Sequence, residues 1–109
     1  MPDPITFQGH LWRVSQDNEG NSKIALAFSK SELLGVLVLG QHIEQRLRVT
    51  IGSDGKDPLS FVGQLWRTTE YHEGNSVVVF ALSFKELEKV LKIGEWTQRL
   101  LTVTVKIDA

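Results

Sequence analysis

The chain has 109 residues and a formal net charge of -1, with 12 lysine and arginine residues against 13 acidic ones. This length allows one domain, and a composition of 41% hydrophobic and 23% charged residues excludes an intrinsically disordered chain. The absence of cysteine excludes a disulfide framework, a thiolate metal site and a cysteine nucleophile. The sequence has neither an apolar run of about 18 residues nor a signal-peptide pattern at residues 1–4. We therefore expect an intracellular, cytoplasmic protein without a membrane partner.

An internal repeat is the strongest pattern in the sequence. The chain aligns with itself at an offset of 54 residues without a gap, with 22 identities in 55 aligned pairs. The aligned segments include residues 7–13 over 61–67 and residues 19–22 over 73–76. We predict a single domain, residues 1–109, with two repeat units at 3–54 and 57–108, because the segment between them is too short to separate independent domains.

The predicted elements follow the same order in both units, beginning with two strands. Each unit starts with an extended segment rich in aromatic and β-branched residues. A Gly-Asn pair follows, and it suits a tight hairpin because glycine adopts positive φ without penalty. The predicted strands cover residues 6–16 and 23–28 around Gly20-Asn21, and residues 60–70 and 77–82 around Gly74-Asn75.

A helix and a third strand complete each unit. The pattern Ser-x-x-Glu at residues 29–32 and 83–86 fits a capping box at a helix N-terminus. Gly40 and Gly94 lie where a glycine that ends the helix is expected. In the last strand, apolar residues alternate with Arg46 and Arg48, which therefore point away from the core.

The predicted fold class is α+β, mainly β: two duplicated β-β-α-β units form one pseudo-twofold-symmetric barrel or sheet with two helices. One unit alone would leave strand edges exposed and little core, whereas two units can pair those edges and share one core. A duplicated β-β-α-β order is similar to the topology of the double-psi and related cradle-loop barrels, and this resemblance implies a barrel. Two α+β layers with the helices on one face of a sheet are the alternative arrangement.

The duplicated Leu-Trp-Arg motif is the most informative one for function. Alternation along the first strand places Leu11 and Arg13 on one face and Trp12 on the other. Tryptophan beside arginine on a sheet suits single-stranded nucleic acid, because bases stack on the ring and the guanidinium contacts phosphate. The predicted ligand-binding residues are Trp12, Arg13, Trp66, Arg67, Arg46 and Arg48. The alternative is that the tryptophans cover the sheet beneath the helices, while the arginines pair with acids.

A contrast between the two helices predicts an interface. Residues 33–39 are apolar all round, which is typical of a helix that is buried on more than one side. The second helix has Glu88, Lys89 and Lys92 at the positions that correspond to Leu34, Gly35 and Val38. We therefore predict a homodimer through Leu34, Gly35 and Val38 of the first helix. The alternative is that a loop or the hairpin of the other unit covers this helix.

The sequence contains no pattern that indicates catalysis. His10, His42 and His72 are scattered and lack metal-ligand spacing, so we predict no catalytic residue, no metal site and no cofactor. Two functions remain: a small non-enzymatic module that binds single-stranded nucleic acid, and an assembly module that self-associates through the first helix. Charge does not favour the first, because residues 1–54 carry 5 positive and 6 negative groups and residues 55–109 carry 7 of each.

Overall fold

Six strands and two short helices form the part of the chain that the computed structural model describes, namely residues 4–53, 55, 57–70, 75–96 and 99–107. The elements in chain order are β1 (Ile5–Gln16), β2 (Ser22–Phe28), α1 (Leu33–Leu39), β3 (Arg46–Ser53), β4 (Leu59–Glu70), β5 (Ser76–Leu82), α2 (Leu87–Ile93) and β6 (Leu101–Ile107). Short 3₁₀ turns lie at Lys30–Glu32 and Gly40–His42 on either side of α1, and at Phe84–Glu86 before α2.

The six strands form one closed antiparallel barrel in the order β1-β2-β5-β4-β3-β6. β6 closes the barrel against β1, with Ile5 opposite Val105 and Gly9 opposite Leu101. β2 pairs with β5 and β3 pairs with β6, so strands of both halves of the chain join in one barrel. The closed barrel confirms the predicted mainly-β architecture with two helices, and the alternative of two open layers is wrong.

The core lies inside the barrel and beneath the two helices. Alternate residues of every strand face inward, and the largest fully buried side chains are Phe7, Phe61, Phe80, Ile24, Leu26, Leu39, Leu47, Ile51, Leu65, Ile93, Leu101 and Val36. Val36 and Leu39 of α1 join this core, as do Val90 and Ile93 of α2. Gly63 lets two strands approach, because a Cβ there would lie 2.7 Å from the carbonyl oxygen of Ala81.

Both helices begin through a 3₁₀ turn, and the predicted capping boxes are wrong. Neither serine of the two Ser-x-x-Glu motifs makes a side-chain capping bond. Instead, Glu32 Oε1 accepts a hydrogen bond from the backbone N–H of Gln8 at 3.3 Å, and Glu86 Oε1 accepts one from Val62 at the same distance. The carboxylates are therefore engaged by the long strands, which fixes the start of each helix against the barrel wall.

The glycines of the turns and helix ends have different backbone conformations. Gly20 has a φ of 84°, which confirms the predicted turn at Gly20-Asn21 because this region favours glycine. Its counterpart Gly74 lies outside the described residues. Gly40 and Gly94 follow the helices as predicted, but with φ values of -61° and -59° they remain right-handed. The helices therefore end without a left-handed residue.

The positions of the elements recur along the chain. β1 and β4, β2 and β5, and α1 and α2 have bounds that differ by 54 residues. The hydrogen bonds from Gln8 to Glu32 and from Val62 to Glu86 also differ by this offset. In the barrel, β2 lies beside its counterpart β5, and β3 lies beside its counterpart β6. β1 lies between β6 and β2, and its counterpart β4 lies between β3 and β5.

Candidate functional site

The two predicted tryptophans lie at irregularities of the two longest strands. In β1 the register against β2 shifts between Leu11 and Arg13, and in β4 the register against β5 shifts between Leu65 and Arg67. Trp12 and Trp66 are the extra residues, and their side chains are 59% and 51% exposed. A bulge of this kind twists the strand and redirects its side chains. Each tryptophan is therefore presented on the outside of the barrel.

The bulge also changes the side on which the following arginine lies. Strict alternation predicts that Arg13 shares the inner face with Leu11, and this prediction is wrong because the extra residue shifts the phase. Arg13 is exposed, whereas Val14 packs partly buried against the core. Arg67 is exposed in the same way after Trp66. Tryptophan and arginine are consecutive exposed residues in both strands.

Arg13 and Arg67 lie in one row across four neighbouring strands. Arg13 is opposite Ala25, Ala25 is opposite Val79, and Val79 is opposite Arg67. Three strand spacings of about 4.8 Å separate the Cα atoms of the two arginines by roughly 14 Å, measured across the strands. The residues between them, Ala25 and Val79, have no charge, and Ala25 is buried.

A groove of about 850 Å³ opens beside Trp66. Its lining residues come from the β1–β2 hairpin, β3, β4, the end of β5 and the turn before α2: Ser15, Gln16, Asp17, Asn21, Ser22, Lys23, Arg46, Val62, Gly63, Gln64, Trp66, Ala81, Leu82, Ser83, Lys85 and Glu86. The ammonium group of Lys23 lies 3.8 Å from the centroid of the Trp66 ring, which is within the range of a cation–π contact. The groove thus combines an exposed indole with the cations Lys23, Arg46 and Lys85. We call it the Trp66 groove.

The first acidic side chain of the Trp66 groove is engaged within its own turn. Asp17 Oδ1 accepts hydrogen bonds from the backbone N–H groups of Glu19 at 2.8 Å and Asn21 at 3.0 Å. The hydrogen bond from Glu19 is the largest cause that lowers the pKa of Asp17 below 3.8. Lys23 lowers this pKa further through its charge. Asp17 therefore serves the turn between β1 and β2.

The second acidic side chain of the groove is engaged as well. Glu86 Oε1 accepts the backbone N–H of Val62, and Glu86 Oε2 lies 3.3 Å from Lys89 Nζ in a salt bridge. Both carboxylates among the described lining residues of the groove thus have partners within the chain. The negative charge in the groove is partly compensated by these partners, which leaves an anionic ligand less repulsion to overcome.

The remaining predicted arginines lie on the adjacent wall of the barrel. The predicted orientation of Arg46 and Arg48 is confirmed, because both are exposed while Leu47 between them is buried. Arg46 is opposite Gln64 of β4 and lines the Trp66 groove. Arg48 is opposite Lys106 of β6, so two cations face outward side by side. The structure therefore places Arg46 near Trp66, and Trp12 on another part of the wall.

The helix surface predicted as an interface is exposed at two of its three residues. Leu34 is 81% and Val38 47% exposed, and Leu37 beside them is 51% exposed. Gly35 faces the barrel, since a Cβ there would lie 2.7 Å from Cε1 of Phe7. The small size of Gly35 is therefore required within the chain, where α1 packs on Phe7.

The described residues contain no group of three or more histidine, cysteine or acidic side chains that could hold a metal ion. His10 is exposed on β1, and His42 Nδ1 lies 3.1 Å from Gln45 Oε1. His72 lies outside the described residues. In the described part of the chain, no helix has the length and apolar character needed to span a membrane.

Lys23 is a site residue that the sequence reasoning missed. It belongs to β2, whereas Trp66 belongs to β4, and β5 lies between them in the barrel. Alternation along β2 shows that Lys23 faces outward with Ala25, but the sequence contains no sign that β2 pairs with β5. Lys85 was missed for a related reason, because only the fold brings the turn before α2 to the groove.

The chain matches no protein-family model, and no curated protein is significantly similar to it in sequence.

Proposed function

We propose that this chain is a small non-enzymatic module that binds single-stranded nucleic acid on the outer wall of its barrel. The distribution of charge over the strands carries this proposal. The six strands contain one acidic residue, Glu70, and six basic residues, which are Arg13, Lys23, Arg46, Arg48, Arg67 and Lys106. The barrel wall is thus basic although the whole chain has a net charge of -1.

The exposed tryptophans add aromatic rings on which bases can stack, which a basic wall alone does not offer. Single-stranded nucleic acid is bound by aromatic side chains that stack on bases and by cations that follow the phosphates. Trp12 is followed by Arg13, and Trp66 is followed by Arg67 and contacted by Lys23. A nucleotide has one base and one phosphate, so each of these pairs offers both of the groups that one nucleotide requires.

The test is a tryptophan-fluorescence titration with a mixed-sequence single-stranded oligonucleotide, first at low and then at high salt. We expect saturable quenching at low salt that is reversed by salt, because phosphate contacts release counterions. Charge reversal in the variant R13E/R67E is expected to weaken binding, because it reverses two charges of the basic wall, and to leave the circular dichroism spectrum unchanged, since both side chains are exposed.

The variant K30E/K92E is the matched control, because it changes the net charge equally at two exposed lysines outside the strands. It should retain most of the binding. Absence of quenching at micromolar protein contradicts the proposed function. Equal loss of binding in both double variants contradicts the assignment to the wall, because it would show that only net charge matters.

A second candidate function is self-association through α1, and the exposure of Leu34, Leu37 and Val38 favours it. These three side chains form an apolar surface on a helix whose inner side is already packed on the barrel. At the corresponding positions of α2 the chain has Glu88, Leu91 and Lys92. A second copy of the chain, which would bring the same apolar surface, is the partner that we propose for it.

Sedimentation equilibrium tests this second candidate. We expect the unmodified chain to be a dimer and L34E/V38K to be a monomer, because the two substitutions place the residues of α2 on α1. The matched control is Leu91→Glu, which changes an exposed leucine of α2 and should leave the dimer intact. A monomeric unmodified chain contradicts self-association.

We also propose that the chain is internally duplicated and that its two halves are related by a pseudo-twofold axis. Three observations support this: the 54-residue offset of the element bounds, the bulges at Trp12 and Trp66, and the two equivalent hydrogen bonds to Glu32 and Glu86. The axis would pass between β2 and β5 and between β3 and β6.

A further inference from the structure

The two tryptophans have different electrostatic surroundings. At an offset of 54 residues, the cations of the Trp66 groove correspond to uncharged residues. The pairs are Lys23 and Val77, Arg46 and Leu100, and Lys85 and Ser31. The next outward-facing cations of the wall, Arg48 and Lys106, correspond to Thr102 and Gly52. At each of these five pairs of positions, the cation belongs to the side of Trp66.

Four of these cations, Lys106, Arg48, Arg46 and Lys23, form a continuous path over the outer surface of the barrel. Lys106 and Arg48 are opposite each other on β6 and β3, and Arg46 follows on the same face of β3 because side chains alternate along a strand. Strand spacings of about 4.8 Å and a rise of about 3.3 Å per residue give the path from Lys106 to Lys23 a length of roughly 25 Å.

The path passes Trp66 before it reaches Lys23. Arg46 is opposite Gln64, and Trp66 follows Gln64 two residues later on the outer side of β4. Lys23 reaches the ring of Trp66 from β2. Four cations and one exposed indole therefore lie along one line, and Glu70, the acidic residue of the strands, lies beyond Trp66 at the end of β4. We call this line, Lys106–Arg48–Arg46–Trp66–Lys23, the Trp66 track.

We infer that one nucleic-acid strand binds per chain along the Trp66 track, with a base on Trp66 and phosphates along the four cations, and that Trp12 lies outside this contact. The inference rests on the proposed function and deepens it, because the repeat alone would favour two equivalent sites. Single strands occupy roughly 4–16 nucleotides on small barrel domains. The track is a single line of contacts, so it would hold one such strand.

The first experiment compares W66A with W12A in binding a dye-labelled, mixed-sequence single-stranded 12-mer, followed by fluorescence anisotropy. We expect W66A to weaken binding roughly tenfold, since loss of one base–aromatic stack has an effect of this order. W12A should remain within about twofold of the unmodified chain. Titration at stoichiometric concentration should give one strand per chain.

The second experiment avoids the tryptophans, so it stands even if W66A fails to fold. The variant K23V/R48T places the residues of the Trp12 side at two positions of the track. Each lost phosphate contact lowers the salt slope of single-strand binding by about 0.7, so the double variant should lose roughly 1.4 units of slope. The control K30S/K92T removes the same charge outside the strands and should leave the slope unchanged.

The outcomes separate this inference from the proposed function. If the unmodified chain does not bind the 12-mer at low salt, the proposed function fails. If it binds, but W12A and W66A weaken binding equally or two strands bind per chain, the track is wrong while the function stands. An unchanged salt slope in K23V/R48T likewise overturns the track.

Discussion

Asp17 stabilises the turn between β1 and β2 through both carboxylate oxygens: Oδ1 accepts two backbone N–H groups, and Oδ2 accepts the side-chain amide of Asn21. We expect Asp17→Asn to lower the Tm at neutral pH, because hydrogen bonds to a charged acceptor are stronger than those to an amide. The pKa of Asp17 is lowered from 3.8 in the folded chain. Its stabilising effect is therefore fully present above the unfolded pKa and is lost as the pH falls through the lower folded pKa.

Thermal unfolding of the two proteins at a series of pH values checks this prediction. The difference in Tm should be largest near neutral pH and should shrink as the pH falls below about 3.8, where the unfolded carboxyl becomes protonated first. Glu19→Gln is the control, because it removes an exposed carboxylate from the same turn. A difference in Tm that does not depend on pH would show that the charge of Asp17 has no role.

The candidate site could be predicted only in part at the level of residues. The repeat made Trp12-Arg13 and Trp66-Arg67 recognisable as equivalent pairs. Alternation nevertheless predicted the wrong face for Arg13, because a bulge adds one residue without any special composition. The residue that marks the bulge is Val14. Its apolar side chain packs against the core directly after Trp12 and Arg13, which are both exposed.

At the level of elements, the close packing of α1 on β1 depends on Gly35. A Cβ at this position would lie 2.7 Å from Cε1 of Phe7, and Phe7 is fully buried. We expect Gly35→Ala to lower the free energy of unfolding by about 1–3 kcal/mol, the usual cost of overpacking a core. This loss outweighs the gain of up to about 1 kcal/mol that alanine brings to a helix interior.

Urea denaturation of G35A measures this effect, and α2 provides the control. Lys89 occupies the position that corresponds to Gly35 and is exposed. Lys89→Ala removes a salt bridge between an exposed lysine and the half-buried Glu86, which keeps its hydrogen bond from Val62, so we expect a change of about 1 kcal/mol or less. If G35A is as stable as the unmodified chain, α1 does not need Gly35 in order to pack closely on Phe7.

The elements themselves were largely predictable, whereas their ends and caps were not. β1 and β2 begin one residue earlier than predicted and end as predicted, since two copies of each pattern were available to define them. The capping boxes failed because Glu32 and Glu86 accept hydrogen bonds from neighbouring strands. Local patterns contain no information about such a competing partner, which only the tertiary fold brings within reach.

At the level of the whole molecule, the net charge of -1 conceals a segregation of charge. Six cations lie on the strands, whereas most described acidic residues lie on the turns and helices around them. The sequence counts for each half could not reveal this, because the wall is assembled from strands of both halves. Pairing of β2 with β5 and of β3 with β6 joins residues about 54 positions apart. No local pattern specifies those pairings.

The pairing of Ile5 with Val105 makes the chain suitable for circular permutation. Because β1 and β6 are neighbours, a short linker can join the end of β6 to the start of β1, and the chain can be opened between Ser53 and Asp57. This circular permutant exchanges the two halves and keeps the order strand, strand, helix, strand twice over. We expect it to fold cooperatively to the same barrel, checked by comparing backbone amide NMR spectra. For this molecule, which half is synthesised first would then be immaterial to its final shape.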